Sequence, residues 1–460
     1  MATAPHFVLG PSTFLSLLGL IHGPDRTPPT PIGDWRKAVV DVVIPALNEE
    51  RYIVLCLDSI SKQTLQPRYV LLVDDGSRDH TVEYAKNYAG SVGLQLLPVF
   101  HDHCIGRTSS LKAGARELNA DVEFVLDGDT ELESENYIER CVEELYIAAG
   151  VASVCGTIMP LRERDRRRLL ASAKVQRVLE QHPDYHFAKP AGLLHRLSSS
   201  ITNNYRTVLY TFLQRFIHKG QMNLYGSITH PLGCAVAYRR DRLKVLLDHY
   251  EPILGDNLTS SEDIFIGFSL VEQGFRNVQL PDVYARSLEP EFHHLPAQLK
   301  LWSSSLLQSC YYFNDLVRSP FLSLRRWQNR RRFDEVSKSH RAKRVSEPYR
   351  EVFGKEITQR QGRPMGWVVF MSAFEKVCFP VTILIMLTLG YWELLGFVLL
   401  VESVFALSIL TWVSRGKRLE MLWRGILATP VRYGALLYEL VAITRFGWDL
   451  WVSGHREWRR

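Results

Sequence analysis

Two carboxylates, Asp127 and Asp129, stand one residue apart in the stretch FVLDGDTE, directly after an apolar run. Their charges repel each other, so a pair held this closely indicates a bound cation. A hard divalent cation takes carboxylate oxygens and substrate phosphates as ligands, which predicts a site for a metal-bound nucleotide diphosphate. The alternative is that both residues only shape a turn, because Asp and Gly are favoured in any strand-to-helix turn.

The elements expected around this pair place it beside other acidic residues. Apolar, strand-like runs end at Pro45, at Asp74 and at Asp127, and helical patterns separate them. Strands and helices that alternate at this spacing predict an α/β fold with a parallel, doubly wound, Rossmann-like sheet. Ligands bind beyond the carboxyl ends of the strands in such sheets, so the acidic clusters are expected to face one crevice.

The composition indicates a catalytic domain joined to further segments. The chain has 460 residues, a formal net charge of +6 and seven scattered cysteines without a CxxC pair. This length exceeds one ordinary domain, and the cysteine usage indicates a reducing, cytosolic environment. The expected parts are an apolar helix with a Pro-rich linker (1–36), a catalytic domain (37–305), a basic interfacial segment (306–365) and a membrane region (366–460).

Seven short motifs follow one another along the chain. In order, they are IPALNEE, VDDGS, LKAGA, LDGDT, GCAVAYRR, SSEDIFIG and QLKLW. Together they resemble the inverting family 2 glycosyltransferases, and above all the membrane synthases of the cellulose, chitin and hyaluronan type. The resemblance covers roughly residues 38–305 and implies a GT-A catalytic domain.

The resemblance implies a donor site for a nucleotide sugar. Asp74 and Asp75 of VDDGS would contact the base and the ribose. Lys112 of LKAGA would reach the pyrophosphate, with Arg107 as a helper. The nucleotide pocket would also be lined by Pro45, Ala46, Asn48 and Glu49.

The resemblance also implies the metal site and the catalytic base. Asp127 would lie near the ribose or the donor sugar, and Asp129 would bind Mg²⁺ or Mn²⁺. Asp263, which follows Glu262, matches the general base that takes the proton of the acceptor hydroxyl while cations neutralise the leaving diphosphate. Asp263 also precedes an apolar helical run, where an ionised carboxylate is favoured, so a helix cap is the alternative.

One motif departs from the family pattern QxxRW. Gln298 and Trp302 match the pattern and are implied to bind the acceptor, but Leu301 stands where an Arg would touch the diphosphate. This departure puts chain extension in doubt more than it does transfer. A core position is the alternative for Trp302. The candidates for the missing positive charge are Lys300, His293 and His294.

The last hundred residues contain apolar runs that can cross a bilayer. Residues 366–392 and 394–413 are each long enough to span roughly 30 Å of hydrocarbon as a helix. Residues 425–451 contain charges and a proline, which predicts an interfacial or re-entrant helix instead. Buried helices of a soluble bundle are the alternative. The interrupting residues are Pro430, Arg432, Glu439 and Arg445.

Positive charge around these runs predicts their orientation. The loop SRGKRLEMLWR after the second run is basic, so the positive-inside rule places it, the catalytic domain and the C-terminal HREWRR in the cytoplasm. Between Arg318 and Arg344 stand ten Lys and Arg against two acids. We expect this run to lie on anionic lipid headgroups, since it has no nucleic-acid module; a solvated surface is the alternative.

These features predict a multi-pass cell-membrane enzyme with a cytoplasmic catalytic domain. It would be a metal-dependent inverting glycosyltransferase that extends a β-linked polysaccharide or glycan from a nucleotide diphosphate sugar, with a uridine-linked donor as the first expectation. Two spans do not enclose a polymer channel, so such an enzyme would need a homo-oligomer or an export partner. One alternative is transfer of a single sugar to a polyprenyl phosphate or another lipid. Another is a catalytically silent membrane scaffold.

Overall fold

The structure is a computed structural model of the chain. It describes residues 6–24, 30–182, 185, 192–255, 258, 261–322 and 354–453. Most of the basic run that ends at Arg344, and the C-terminal HREWRR, lie outside these residues. The predictions made for both segments therefore stay predictions.

One mixed sheet forms the centre of the catalytic domain. Its strands are β1 (Val40–Ala46), β2 (Val70–Asp74), β3 (Leu96–Phe100), β4 (Val122–Leu126), β5 (Thr130–Leu132), β6 (Val151–Pro160), β7 (Ala235–Arg239) and β8 (Arg276–Ser287). The spatial order is β3-β2-β1-β4-β7-β6-β8-β5. The predicted parallel arrangement is confirmed from β3 to β4, whereas β7 runs antiparallel to both of its neighbours. The second half is mixed, since β6 and β8 are parallel whereas β5 is antiparallel to β8; the predicted α/β fold class is confirmed.

Helices cover both faces of the sheet and continue into the C-terminal region. They are α1 (Pro11–His22), α2 (Ile53–Ile60), α3 (Thr81–Val92), α4 (Arg107–Glu117), α5 (Tyr137–Tyr146), α6 (Glu163–Leu170), α7 (Ala173–Gln181), α8 (Leu193–Phe212), α9 (Lys219–Tyr225), α10 (Arg240–Leu254), α11 (Glu262–Glu272), α12 (Leu295–Tyr312), α13 (Asn314–Val317), α14 (Lys355–Gln361), α15 (Gly366–Thr388), α16 (Trp392–Val413) and α17 (Arg418–Gly447). The central strands are therefore buried on both faces, which explains their Val-rich and Ile-rich composition.

Strand register brings the acidic clusters to one edge of the sheet. Ala46 at the end of β1 pairs with Asp74 at the end of β2. On the other side of β1, Val43 pairs with Val125, so Asp127 follows at the same edge. The predicted crevice at the carboxyl ends of the parallel strands is thus present.

Three C-terminal helices, α15, α16 and α17, are long and apolar enough to cross a membrane. The sequence indicated only two spans, because charges interrupt the third segment. In the structure most of this segment belongs to one helix of 30 residues, and two of its charged side chains, Arg432 and Glu439, are paired. Arg432 donates to both carboxylate oxygens of Glu402 at 2.7 and 2.6 Å, and Lys376 bonds to Glu439.

The apolar faces of these helices are largely uncovered by the rest of the chain. Within the most apolar window of α15, α16 and α17, 39%, 28% and 28% of the residues are buried. A soluble bundle would bury such faces. The structure therefore supports membrane association over the soluble-bundle alternative.

Candidate active site

The Asp127–Asp129 turn lies between β4 and β5. The Asp127 amide donates to the Cys234 carbonyl at 2.9 Å, and the Asp127 carbonyl accepts from the Thr130 amide at 3.0 Å. These backbone bonds hold the turn against β7. The Asp129 carboxylate accepts a hydrogen bond from the Thr130 hydroxyl at 3.1 Å. The Asp127 carboxylate has a different partner, the guanidinium of Arg107.

Negative charge accumulates around this turn. Burial, followed by the charges of Asp129, Asp127 and Asp79, raises the pKa of Glu49 to about 9. Burial and then Asp127 raise the pKa of Asp129 to about 7, and Glu289 adds to the effect. A carboxyl group whose pKa is raised by burial and by neighbouring negative charge is stabilised in its ionised form by an added cation.

The residues fit a divalent cation that is shared with a substrate. In the described ranges, no group of three or more His, Cys, Asp and Glu side chains could hold a metal ion. The guanidinium of Arg107 already binds the Asp127 carboxylate. Asp129 is therefore the carboxylate of the pair that can still bind a metal. One carboxylate together with diphosphate oxygens is a ligand set that suits Mg²⁺ or Mn²⁺.

Arg107, the first residue of α4, connects the turn to α11. Its Nε and Nη2 atoms lie 2.9 and 2.7 Å from Oδ1 of Asp127. Its Nη2 also donates to the Gly233 carbonyl at 2.6 Å, and its Nη1 bonds to Glu262. The family resemblance implied only a helping role for Arg107, but in the structure it is the cation that joins the acidic groups of the site.

Asp263 is held firmly at the start of α11. Its Oδ1 accepts from the Ser261 hydroxyl at 2.5 Å and from the Ile264 amide at 2.8 Å, and its Oδ2 accepts from the Gly233 amide at 3.3 Å. Ser261 occupies the N-cap position, but Asp263 accepts from the first-turn Ile264 amide, so the helix-cap alternative stays open beside the role of base. Gly233 contacts both Asp263 and Arg107. It therefore brings the predicted base close to the donor turn, residues 127–129.

Asp75 organises the loop that leads to α4. Its carboxylate contacts the His101 ring and the Cys104 thiol at 3.0 Å and accepts from the Ile105 and Gly106 amides at 2.8 Å. Burial opposes ionisation of Asp75, but these hydrogen bonds outweigh it and lower the pKa. The predicted contact of Asp75 with the nucleotide stays a prediction; here the side chain positions the loop that ends at Arg107.

The loop after β1 is joined to the loop after β2. The Ala46 carbonyl accepts from the Asp75 amide at 2.9 Å, and the Asn48 amide donates to the Ser77 hydroxyl at 2.9 Å. Asn48 has a φ of 57°, a left-handed conformation that Asn adopts more readily than most residues. The predicted pocket residues Pro45, Ala46, Asn48, Glu49 and Asp74 therefore belong to one connected rim.

Lys112 is not brought to this cluster. Its ammonium donates to Glu251 at 3.0 Å and to the Gly255 carbonyl at 2.9 Å, both at the end of α10. Lys112 lies five positions after Arg107 in the sequence. At 3.6 residues per turn this spacing places the two side chains on different faces of α4. The assignment of Lys112 to the pyrophosphate thus finds no support in the geometry.

A buried arginine that the sequence did not indicate lies beside the QLKLW motif. Arg206 of α8 bonds to the Gln298 amide oxygen, and its guanidinium carbon is 4.3 Å from the centre of the Trp302 ring. Its Nε lies 3.2 Å from Glu289. A positive charge therefore stands next to Gln298 and Trp302 although Leu301 replaces the Arg of the motif. One face of Trp302 is covered by this contact, so its predicted stacking on an acceptor sugar stays a prediction.

Comparisons with known proteins agree with this arrangement. The sequence model of Glycosyl transferase family 2 matches residues 41–247. An undecaprenyl-phosphate 4-deoxy-4-formamido-L-arabinose transferase of Pectobacterium carotovorum subsp. carotovorum (strain PC1) is 31% identical over 145 residues, which are 31% of this chain. The match spans 43% of that relative, less than half of its length.

Two further proteins are similar over other lengths. A 4,4'-diaponeurosporenoate glycosyltransferase of Staphylococcus haemolyticus (strain JCSC1435) is 30% identical over 23% of this chain and 28% of its own length. The solved mannosyltransferase PcManGT of Pyrobaculum calidifontis, in complex with GDP-Man and Mn²⁺, covers 96% of this chain and 95% of its own, with 16% identity and a TM-score of 0.49. The resemblance noted from the motifs is confirmed for residues 41–247, which match the model of Glycosyl transferase family 2.

Proposed function

We propose that the protein transfers one sugar from a nucleotide diphosphate sugar, with a uridine-linked donor as the first candidate, to a lipid acceptor at a membrane surface. The observation that carries this proposal is the bridge made by Arg107. This side chain joins Asp127 of the donor turn to Glu262, the neighbour of Asp263. Donor and acceptor groups would therefore meet within the reach of one guanidinium.

The chemistry would be an in-line displacement with inversion. An acceptor oxygen attacks the anomeric carbon, the bond from that carbon to the diphosphate breaks, and the electron pair leaves with the nucleoside diphosphate. Asp263 is oriented to take the proton when the acceptor group is a hydroxyl. A divalent cation bound at Asp129 would supply neutralising charge for the diphosphate.

A lipid acceptor is favoured over a growing polymer. The sequence alone predicted a polysaccharide synthase, with single-sugar transfer to a lipid as the alternative. Two similar proteins are named for undecaprenyl phosphate and for 4,4'-diaponeurosporenoate. Transfer of a single sugar needs no polymer channel, so it also needs neither the homo-oligomer nor the export partner that a polymerase with few spans would require.

The catalytic domain is proposed to face the cytoplasm. The side-chain amide of Asn204 on α8 donates to the Arg424 carbonyl at 3.1 Å, so the basic start of α17 lies on the side of the catalytic domain. The positive-inside rule places this side in the cytoplasm. Farther along α17, Glu439 accepts from Ser303 of α12 at 3.1 Å. About 22 Å of α17 therefore follows the catalytic domain, which supports two spans, α15 and α16, with α17 at the interface.

The proposal is tested by a donor screen on purified, detergent-solubilised full-length protein with Mn²⁺ or Mg²⁺. Release of nucleoside diphosphate from one donor, dependent on both the metal and an added lipid acceptor, is the expected result. Asp129→Asn is expected to lower this release by about 100-fold. Asp241→Asn, an exposed change on α10, is the matched control and should leave release unchanged.

Other products would contradict the proposal in recognisable ways. Long glycan formed without a lipid acceptor would establish the polymerase. Nucleotide binding without release from any donor would establish the catalytically silent scaffold.

A further inference from the structure

A cavity of about 680 Å³ lies between α6, α8 and α17. Arginine is the commonest residue of its lining, and the described part of the chain supplies only two acids to it, Glu163 and Glu289. Glu289 is already engaged by Arg206 and Tyr210. The cavity therefore carries an excess of positive charge. Its arginines are Arg162, Arg164, Arg166, Arg167, Arg196 and Arg424.

These arginines come close enough to repel one another. Burial lowers the pKa of Arg162, and the like charges of Arg424 and Arg164 lower it further. Arg162 donates to the Thr207 hydroxyl at 2.9 Å, and Arg424 donates to Asn204 at 3.1 Å. Arg424 also pairs with Glu420 through its Nε at 2.8 Å, whereas the Thr207 hydroxyl does not offset the charge of Arg162, so an anion between the two guanidinium groups would relieve the repulsion.

The cavity opens toward both the donor site and the membrane helices. Tyr52 and Glu289 line one part of it, and the Tyr52 amide donates to the carbonyl of Glu49, in the rim of the donor site, at 2.9 Å. Leu427, Ala428 and Val431 of α17 line another part. A ligand that fits both ends has an anionic head and an apolar tail.

We propose that this cavity binds the phosphate group of a lipid phosphate acceptor, with its head near Asp129 and its tail along α17. The inference rests on the proposed function and names the acceptor class. An oxygen of the phosphate would attack the anomeric carbon, and the electron pair of the broken bond would leave with the nucleoside diphosphate. A phosphate monoester is largely ionised at neutral pH, so this nucleophile has no proton to lose.

Binding of farnesyl phosphate to the full-length protein in detergent tests this inference. Farnesol and inorganic phosphate serve as comparison ligands. Arg162→Gln and, separately, Arg424→Gln are expected to weaken farnesyl phosphate binding by about 10-fold or more, because each removes a charged donor. Arg242→Gln, an exposed arginine on α10, is the matched control. Nucleoside diphosphate binding with Mn²⁺ is measured on every variant to verify folding.

The possible outcomes separate the inference from the function on which it rests. Tight binding of farnesyl phosphate alone, weakened by both cavity variants and not by the control, supports the inference. Equal binding of inorganic phosphate identifies a free-anion site and overturns the lipid assignment. Intact nucleotide binding with farnesyl phosphate binding that is absent, or indifferent to both arginines, overturns the cavity assignment alone. Failure of every donor nucleotide to bind overturns the proposed function itself.

Discussion

Arg107 joins the donor turn, residues 127–129, to Glu262 at the start of α11. It contacts Asp127, Glu262 and the Gly233 carbonyl at once, which only a forked guanidinium can do. Arg107→Lys keeps the charge and loses the fork, so we expect kcat to fall by about 100-fold in the transfer assay. Arg116→Lys on the same helix is the control, because Arg116 pairs with Asp248 and Glu251 away from the site. A loss of the same size in both variants would contradict the role given to Arg107.

As the proposed general base, Asp263 should matter for acceptors that carry a proton and not for those that are already ionised. Asp263→Asn preserves the size of the side chain but removes the base. Hydrolysis of the donor by water needs a base, so its rate is expected to fall by about 100-fold or more. Transfer to farnesyl phosphate is expected to fall much less, because a phosphate oxygen is already ionised. Rates for both acceptors, measured on one preparation, check this; an equal loss for both would assign Asp263 a purely structural role.

Strand β4 carries a carboxyl group that costs stability. Glu123 is buried, and neither of its side-chain oxygens has a hydrogen-bond partner among the described residues. Burial raises its pKa well above the ordinary value, so the folded state binds this proton more tightly than the unfolded state does. The free energy of unfolding is therefore undiminished by this group below the unfolded pKa of about 4.3, where Glu123 is protonated in both states. It falls as pH rises through the folded pKa, because burial opposes ionisation in the folded state only.

Glu123→Gln should therefore stabilise the protein more at pH 8 than at pH 5. We expect a gain of about 1 kcal/mol at pH 8, or about 1–2 °C in Tm for a chain of this length. Thermal unfolding in detergent at both pH values measures the effect. Glu117→Gln, an exposed change at the end of α4, is the control and should shift neither value. A Tm that falls at pH 8 would mean that the ionised carboxylate has a stabilising partner.

At the scale of elements, the alternating strands and helices were predictable, and so was the edge where they place Asp74 and Asp127. Strand periodicity and turn residues are local signals. The role of Lys112 at the pyrophosphate stays a prediction, because its ammonium contacts Glu251 and the Gly255 carbonyl, partners that only tertiary packing with α10 provides. Arg206 had no local signal, since α8 reaches the QLKLW helix only through tertiary packing. The antiparallel β7 likewise depends on pairing across long stretches of chain.

At the scale of the whole molecule, the membrane helices and the catalytic domain share buried polar contacts. Glu439 of α17 bonds to Lys376 of α15 and accepts from Ser303 of α12. His6, near the N-terminus, lies 3.4 Å from the same carboxylate. Four segments that are distant in sequence therefore meet at one charge. We infer that the membrane helices and the catalytic domain unfold together. Separation of these segments would leave the Glu439 carboxylate and its partner Lys376 buried without each other.

Lys376→Met and Glu439→Met test this coupling in a double-mutant cycle. Each single change strands one buried charge and is expected to lower the free energy of unfolding by about 3–5 kcal/mol. The double change removes both charges and is expected to recover most of that loss, because an apolar pair of similar volume often replaces a buried ion pair without penalty.

Two signals monitor thermal unfolding of each variant. Nucleotide binding reports the catalytic domain, and circular dichroism reports helix content. The two signals should be lost together in each variant. Additive losses, or nucleotide binding that survives melting of the helices, would show that the domain and the membrane helices fold independently.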